Sequence, residues 1–489
     1  LSDSNRLRLS HVREVTLGTT PVTPRMRKAR LKGETLRFAP VFVSSEEIRD
    51  DRMNSDPIKV NEMNDGPING ELSWPPHGSP FSDWLESLFA NTWVNTPYRD
   101  NDGVADSVIT AMTGTTDVVT CLTGAAFVAG QIAQFSGFAT GANNGIFKCT
   151  TGHATSPVFL GAGFVTEAAP AAAARIKVVG FQGASGDLVA VADGITSTLL
   201  DFTTLGLTVG QWIKIGGTAS GDRLATAACN GWARVIAIAA AKLTLDNLPT
   251  GWTTDAGTGK TLKVFFGDTL KNGLLTISQT IERGFMDQGV PTYIAQRGMT
   301  VDQGVFNFVK EQIATWTLTF AGLTGTQDTT SLDASPDAAT TNAIMAAAVN
   351  VGRIAENGTI VGGPNFIESV TLTIKNNLRM IGGIRSDGLV GAEDIGKGSF
   401  DVTAAMGTYF GSNALMAKLF AGTATNINLR IAKNSQAMIW AVPRLTYTDG
   451  QTNATAKNTD TKLPLTGMAS LDTLTNAHAL LDRLEYFEV

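Results

Sequence analysis

The sequence predicts a mainly β fold, for three reasons. Gly is frequent (51) against Pro (17), and 43% of the 489 residues are hydrophobic while only 17% are charged. That turn-rich, sparsely charged balance suits many short strands. Apolar residues recur at every second position in run after run, the spacing of half-buried strands. Clear helical spacing is confined to short stretches near 80–90 and 414–420. At roughly 150 residues per domain the length corresponds to about three domains, enough for more than one core.

Taken in order, the first informative stretch is Pro24 to Trp74. Arg25, Arg27, Lys28, Arg30 and Lys32 come first, followed by Glu46, Glu47, Asp50, Asp51, Arg52 and Asp56. A basic run followed by a mostly acidic one is either a solvated loop or a self-complementary patch, in which a basic face on one subunit meets an acidic face on the next. The reading adopted is the second, with Arg25, Arg27, Lys28, Arg30, Glu46, Glu47, Asp50, Asp51, Arg52 and Asp56 as candidate subunit-interface residues. Reversing Arg27 and Lys28 to Glu is then expected to weaken association. Within the stretch, Thr35 to Val43 reads as a strand with Pro40 at an edge or bulge, and Ile68 to Trp74 as a second strand. Ser79 can cap a helix that Pro80 starts, and Phe81, Trp84, Leu85 and Leu88 give it one apolar face.

The middle of the chain reads as an internal duplication. Val128-Ala129-Gly130-Gln131-Ile132 recurs as Thr208-Val209-Gly210-Gln211-Trp212, and Asn144-Gly145-Ile146-Phe147-Lys148 as Asn230-Gly231-Trp232-Ala233-Arg234. Arg175-Ile176-Lys177-Val178 answers Leu262-Lys263-Val264-Phe265. Each unit carries Asn-Gly, a pair suited to tight hairpin turns. Two units are too few for a solenoid, so the expectation is two inserted small β domains, 104–186 and 187–268, dividing a host made of 1–103 and 269–489. Deleting 104–268 is then expected to leave assembly intact.

Beyond the insertion, Gly273 to Phe285, Thr292 to Arg297, Met299 to Val309 and Thr315 to Phe320 form a meander of candidate strands with one wet face. Phe366 to Ile374 and Phe400 to Tyr409 follow. Ser412 or Asn413 can then cap a helix Ala414 to Phe420 that buries Leu415, Leu419 and Phe420. Thr425 to Ile431, Met438 to Tyr447 and Leu484 to Val489 complete the strands. Between Gly325 and Pro364 the Thr, Asp, Ala and Gly content predicts a flexible loop or subunit contact, with a helix at Ala343 to Val351.

The order of these pieces resembles a known family. GETLRF at 33–38, EEIRDDRM at 46–53, Asp56-Pro57-Ile58, INGELSW at 68–74 and SPFSDWL at 79–85 look like the opening of a tail tube (major tail) protein of long-tailed, siphovirus-type bacteriophages. The likeness continues through NGLLTISQTIERGF at 272–285, QRGM at 296–299, WTLTFAGLTG at 316–325 and NALMAKLF at 413–420. It covers most of the chain in pieces and rests on order and pattern. The resemblance implies a tail-tube β-sandwich or barrel host with small flanking helices. It also implies homohexameric rings stacked into a tube, with double-stranded DNA passing through the lumen. The implied partners are other copies of the chain, the tape-measure protein, the tail terminator and the distal tail protein. Localisation would be the virion tail, assembled in the host bacterial cytoplasm. Six subunits giving four strands each, about 4.8 Å apart and tilted about 45°, close a ring on the order of 50 Å across, wide enough for a duplex.

Charge and chemistry agree with a structural role. A net charge of -6 argues against a tight, sequence-specific grip on nucleic acid, and a conduit wall is expected to be weakly acidic. Cys121, Cys149 and Cys229 cannot all pair within one chain, no apolar leader is evident, and no apolar run reaches the roughly 18 residues of a membrane span. His11, His77, His153 and His478 are scattered, and Cys149 with His153 lacks a second ligand pair. Adjacent acids such as Glu46/Glu47 point to opposite faces of a strand, unlike a glycosidase pair. Gly257-Thr258-Gly259-Lys260-Thr261 lacks the leading half of a phosphate loop. No cofactor, metal or catalytic residue is therefore expected, and no enzyme activity. The competing reading is an extracellular β-rich carbohydrate-binding or polysaccharide-acting protein with Trp212, Trp232 and Trp252 as ligand platforms.

Overall fold

The computed structural model describes residues 3–103, 108–384, 391–452 and 456–488. The expected boundary at 104 and the expected terminal strand residue Val489 lie outside the described residues. With 45% strand and 7% helix, the chain is mainly β, and among the described residues every strand pairing is antiparallel except one isolated parallel bridge at Arg27 and Asp337.

The larger part is a sandwich. Its first layer runs Ile58–Glu71, Thr315–Ala321, Thr292–Val309, Ile367–Lys375, Asp401–Tyr409, Lys462–Ala469. Thr315–Ala321 shows why one face is wet: Trp316, Leu318 and Phe320 are buried while Thr315, Thr317 and Thr319 alternate outward. The strand Gln436–Gly450 pairs at its far end with Lys462–Ala469 and at its near end with Leu480–Leu484, so it carries the sheet round into a second layer with Ala424–Lys433 and Asp268–Lys271. The layers meet where Phe306 and Phe308 of the first lie 5.6 and 5.4 Å from Trp440 of the second, ring centre to ring centre.

The sequence separates Thr292 to Arg297 from Met299 to Val309, yet they form one 18-residue strand. Gly298 sits in it at φ +68°, and a Cβ there would come within 2.6 Å of Leu323. This glycine lets the strand bend and serve two groups of partners: Gln279–Phe285 and Thr324–Asp328 before it, Thr315–Ala321 and Ile367–Lys375 after it.

The helix Pro80–Phe89 forms as its sequence predicts. Ser79 accepts a hydrogen bond from Ser82 N, Pro80 opens the helix, and Ala90 closes it in the left-handed region. Its fully buried Trp84 meets Trp316 and Phe320 edge-on at 6.0 and 5.5 Å. Gly304 makes room for Leu88, which would lie 2.4 Å from an added Cβ. The helix Ala414–Ala421 departs from expectation: Leu415 is buried, but Phe420 is 81% exposed and Asn413 makes no side-chain cap bond. The 325–364 segment is also more tied down than predicted. Met345 is buried and shares backbone hydrogen bonds with Leu72 and Ala314, and the helix shrinks to Ala347–Asn350 before the strand Val351–Glu356.

The middle segment forms one module. Its sheet runs Gly145–Lys148, Gln131–Ser136, Arg175–Gln182, Lys263–Phe265, Trp212–Ile215, Gly231–Ala239, Lys242–Asp246. Strands from 104–186 and from 187–268 thus lie in a single sheet and share one apolar cluster that includes Phe135, Phe181, Ile213, Val235 and Phe266. Local contacts recur at the two places where the sequence recurs. Gln131 Oε1 accepts from Val128 N at 2.9 Å, and Gln211 Oε1 from Thr208 N at 3.1 Å. Asn144 clamps Phe138 and Thr140 through three hydrogen bonds, and Asn230 clamps Leu224 and Thr226 in the same way. Each Asn-Gly therefore closes the preceding loop and opens a strand instead of making the expected hairpin turn.

The module is locked onto the sandwich. Ile132, Val179, Trp212 and Phe265 pack with Ala437, Ile439, Leu484 and Phe487. Beside them Asp268 takes Lys177 Nζ at 2.6 Å and Arg483 Nε at 2.9 Å, all three side chains being almost fully buried. Burial alone would raise the Asp268 carboxyl, but Lys177 and Arg483 outweigh it and hold the group far below its usual range. Removing 104–268 would expose the apolar seam and leave Arg483 without its carboxylate, a loss of about 3–5 kcal/mol for a buried pair. The segment is thus docked on the sandwich through a shared apolar seam and a buried ion network.

Asp482 is a second buried carboxylate at this seam. It accepts from Trp212 N at 2.8 Å, while its Oδ1 has no hydrogen-bond partner. Burial pushes it up to about 7, with Thr269, Trp212 N and Arg234 pulling back only part of the rise. A carboxyl raised in the folded state stabilises fully below its unfolded pKa of about 3.9, and that contribution is lost as pH rises to 7. Melting temperature should consequently fall between about pH 4 and pH 7 and level off above. Asp482→Asn should flatten that slope; parallel melting curves for the two proteins across pH 4–8 would contradict the assignment.

Candidate assembly surface

The strands Arg37–Val43 and Ile58–Glu71 pair along their length, Val43 opposite Ile58 and Arg37 opposite Asp65. From Asp65 onward the second strand is covered by Thr315–Ala321. Before that point the pair projects as a two-stranded hairpin. Its tip, residues 44–57, holds Glu46, Glu47, Asp50, Asp51, Arg52 and Asp56, all exposed. Arg49 bridges Asp51 at 2.6 Å, and this hydrogen bonding lowers the Asp51 carboxyl. Apolar side chains are uncovered along the same hairpin: Phe42 and Val43 are 54% exposed, Met53 69% and Ile48 99%.

The basic residues lie elsewhere and have partners in their own chain. Arg25 Nε bridges Asp337 at 2.9 Å, and Arg27 lies 3.4 Å from Asp102 and 3.7 Å from Asp337. Arg27 also donates to the Gly78 carbonyl. Lys28 is held through its backbone by Asp337 O, and Arg30 Nη1 donates to Asn342 O at 2.6 Å. The structure thus brings Arg25 and Arg27 together against Asp102 and Asp337, acids some 75 and 310 positions away that spacing gave no means of finding. It does not pair them with the acids of the tip.

A second surface is the wet face of the first layer. One cross-strand row reads Asn69, Thr317, Val305, Thr373, Thr403; the next reads Thr315, Asn307, Thr371, Ala405, Thr466. Thr317 donates to Asn69 at 2.7 Å and Thr371 to Asn307 at 3.0 Å. The first row carries no charge, while the second begins at Glu71, opposite Thr315, and runs on to Asp449, opposite Thr466. Charges enter at the ends: Lys375 stands opposite Asp401, and Glu368 takes Lys310 at 2.8 Å and Lys462 at 2.6 Å. Hydrogen bonds from both lysines and Tyr409 hold the Glu368 carboxyl well below its usual value.

No group of three or more His, Cys, Asp or Glu is placed to hold a metal among the described residues. The Cys149 thiol is buried, donates to Thr151 O and is pushed up to about 11 by burial, while His153 Nδ1 accepts from Thr155 N and Ser156 N. Lys260 N donates to Gly257 O, closing the loop as a turn, and Lys260 Nζ donates to Ser220 O. Trp212 and Trp232 are buried against the sandwich, and Trp252 donates Nε1 to Val191 O. The carbohydrate-platform reading therefore loses its aromatic residues.

Because Arg27 is held within the subunit, Arg27→Glu should lower the stability of the unassembled chain by about 2 kcal/mol, the scale of hydrogen bonds to a charged group. Glu46→Lys at the exposed tip should change it by less than about 0.5 kcal/mol. Denaturant unfolding of the two variants checks this, and equal effects would refute the intramolecular role.

A family described as phage tail tube protein matches residues 4–469 of the chain. No curated protein matches it.

Proposed function

Because this chain belongs to the phage tail tube protein family, a structural component of the virion tail that self-assembles, we propose that its copies form stacked hexameric rings whose bore passes double-stranded DNA in a long, siphovirus-type tail. The observation that carries this reading is the projecting hairpin. A two-stranded hairpin is marginal by itself, and an apolar surface such as Phe42, Val43, Ile48 and Met53 calls for cover. The cover we assign is a neighbouring copy, with the acids of the tip setting orientation and register. Arg25, Arg27, Lys28 and Arg30 have partners within the subunit at Asp102, Asp337, Gly78 and Asn342, and we keep them with the acids of the tip as candidate interface residues.

The bore is assigned to the Thr- and Asn-rich face of the first layer. Each phosphate neutralised by a fixed cation adds counterion-release affinity, so a hydroxyl- and amide-lined wall lets DNA pass without gripping it. The charges in these two rows, Glu71 and Asp449, are both acidic, which supports the expected weakly acidic wall. The tape-measure protein would occupy the same bore before ejection, and the terminator and distal tail protein would cap the tube ends. Assembly in the host cytoplasm suits three buried, unpaired cysteines. The recurring contacts of 104–186 and 187–268 support reading them as two repeats of one unit, fused into a module on the outer side of the tube.

Replacing residues 44–57 by a two-residue Asn-Gly turn tests the reading. The variant subunit should keep its circular dichroism spectrum and melting temperature yet form no tubes in electron micrographs. Tubes of ordinary length from this variant would overturn the assignment.

A further inference from the structure

At the seam between module and sandwich, we infer a binding site for a small phosphate-class oxyanion, built by Arg353, Arg430 and Lys214. Arg353 and Arg430 stand directly opposite each other on the antiparallel strands Val351–Glu356 and Ala424–Lys433. Like charges in that position repel and cost stability. Both guanidiniums lie over module tryptophans, Arg430 4.6 Å from the Trp232 ring centre and Arg353 5.3 Å from that of Trp212. Lys214 is the cross-strand neighbour of Trp232, which adds a third cation from the module side.

Their hydrogen bonds are few for the donors they carry. A guanidinium has five N–H groups. Arg430 donates Nη2 to Gly352 O at 3.2 Å. Arg353 donates Nη2 to Gly358 O at 2.8 Å and to Asn247 Oδ1 at 3.4 Å, and its Nε is buried without a partner. Among the described residues Lys214 Nζ reaches only the carbonyls of Ile215 and Gly216. The acids nearby are committed elsewhere: Glu488 and Asp222 to Lys263, Asp246 to Arg234.

The cluster is strained by its own charge. Burial and then Arg353 draw the Arg430 guanidinium down to about 10, and burial followed by Arg430 draws Lys214 down to about 8, with Glu488 opposing. A dianion accepting from both guanidiniums and the ammonium would relieve that repulsion and use the unspent donors. All three side chains are half-buried, so the cluster suits a small free ion and not a duplex backbone. The inference does not depend on the tube reading.

The test is thermal melting of the full chain in inorganic phosphate, against sodium chloride at matched ionic strength, with tryptophan fluorescence read in parallel. Phosphate should raise the melting temperature saturably beyond the chloride control and change the fluorescence. Arg430→Gln should weaken phosphate binding at least tenfold. Lys214→Gln should also weaken it, to a smaller degree, and serves if Arg430→Gln does not fold. Superimposed phosphate and chloride curves, or variants that keep the wild-type phosphate response, would overturn the site.

Discussion

Asp268 is the group on which the architecture turns. Its carboxylate sits at the end of the module and the start of the returning large sheet, and it is gripped by Lys177 from the module and Arg483 from the last strand. Thr96 N, on the segment leading into the module, donates to the same oxygen as Lys177. Arg483 continues to the Pro75 carbonyl, Ser82 Oγ and Asn95, and lies 4.1 Å from the Trp93 ring centre. One buried ion network thus joins the entry to the module, its central strand, the capping helix and the final strand. A buried pair of this kind adds little net stability over an apolar substitute, but breaking it is costly, so its strongest consequence is a fixed arrangement.

With that junction fixed, function rests on surfaces. The sandwich presents a face rich in threonine and asparagine, and the hairpin extends past the sheet with apolar residues left exposed among the described residues. The family to which the chain belongs assembles into a tube, and we propose that the hairpin meets a neighbouring copy there. Buried carboxylates elsewhere hold the fold together, Glu86 accepting from Trp93 N and bonding Arg13, and Glu356 holding Lys418.

The β class, the helix at Pro80–Phe89 and most strands were legible because period-two alternation and a Ser-Pro cap are local signals. What failed was non-local. Arg25 and Arg27 look free in sequence because Asp102 and Asp337 approach them only through folding. Phe420 fits a helical apolar stripe, yet the short helix Ala414–Ala421 lies at the edge of the sandwich and buries only Leu415. The recurrence at Gly130 and Gly210 was readable, but not that the two segments would pair edge to edge through Gly180 and Phe265 into one sheet. Trp212 and Trp232 suggested binding platforms because aromatics at strand positions look alike whether they face water or a second sheet.

The central claim is that module and sandwich are one folded body held by the Asp268 junction. Scanning calorimetry of the full chain tests it most directly. The account predicts a single cooperative transition in which both cores melt together, with a van't Hoff enthalpy equal to the calorimetric one. Two separated transitions, one for the module and one for the sandwich, would contradict it.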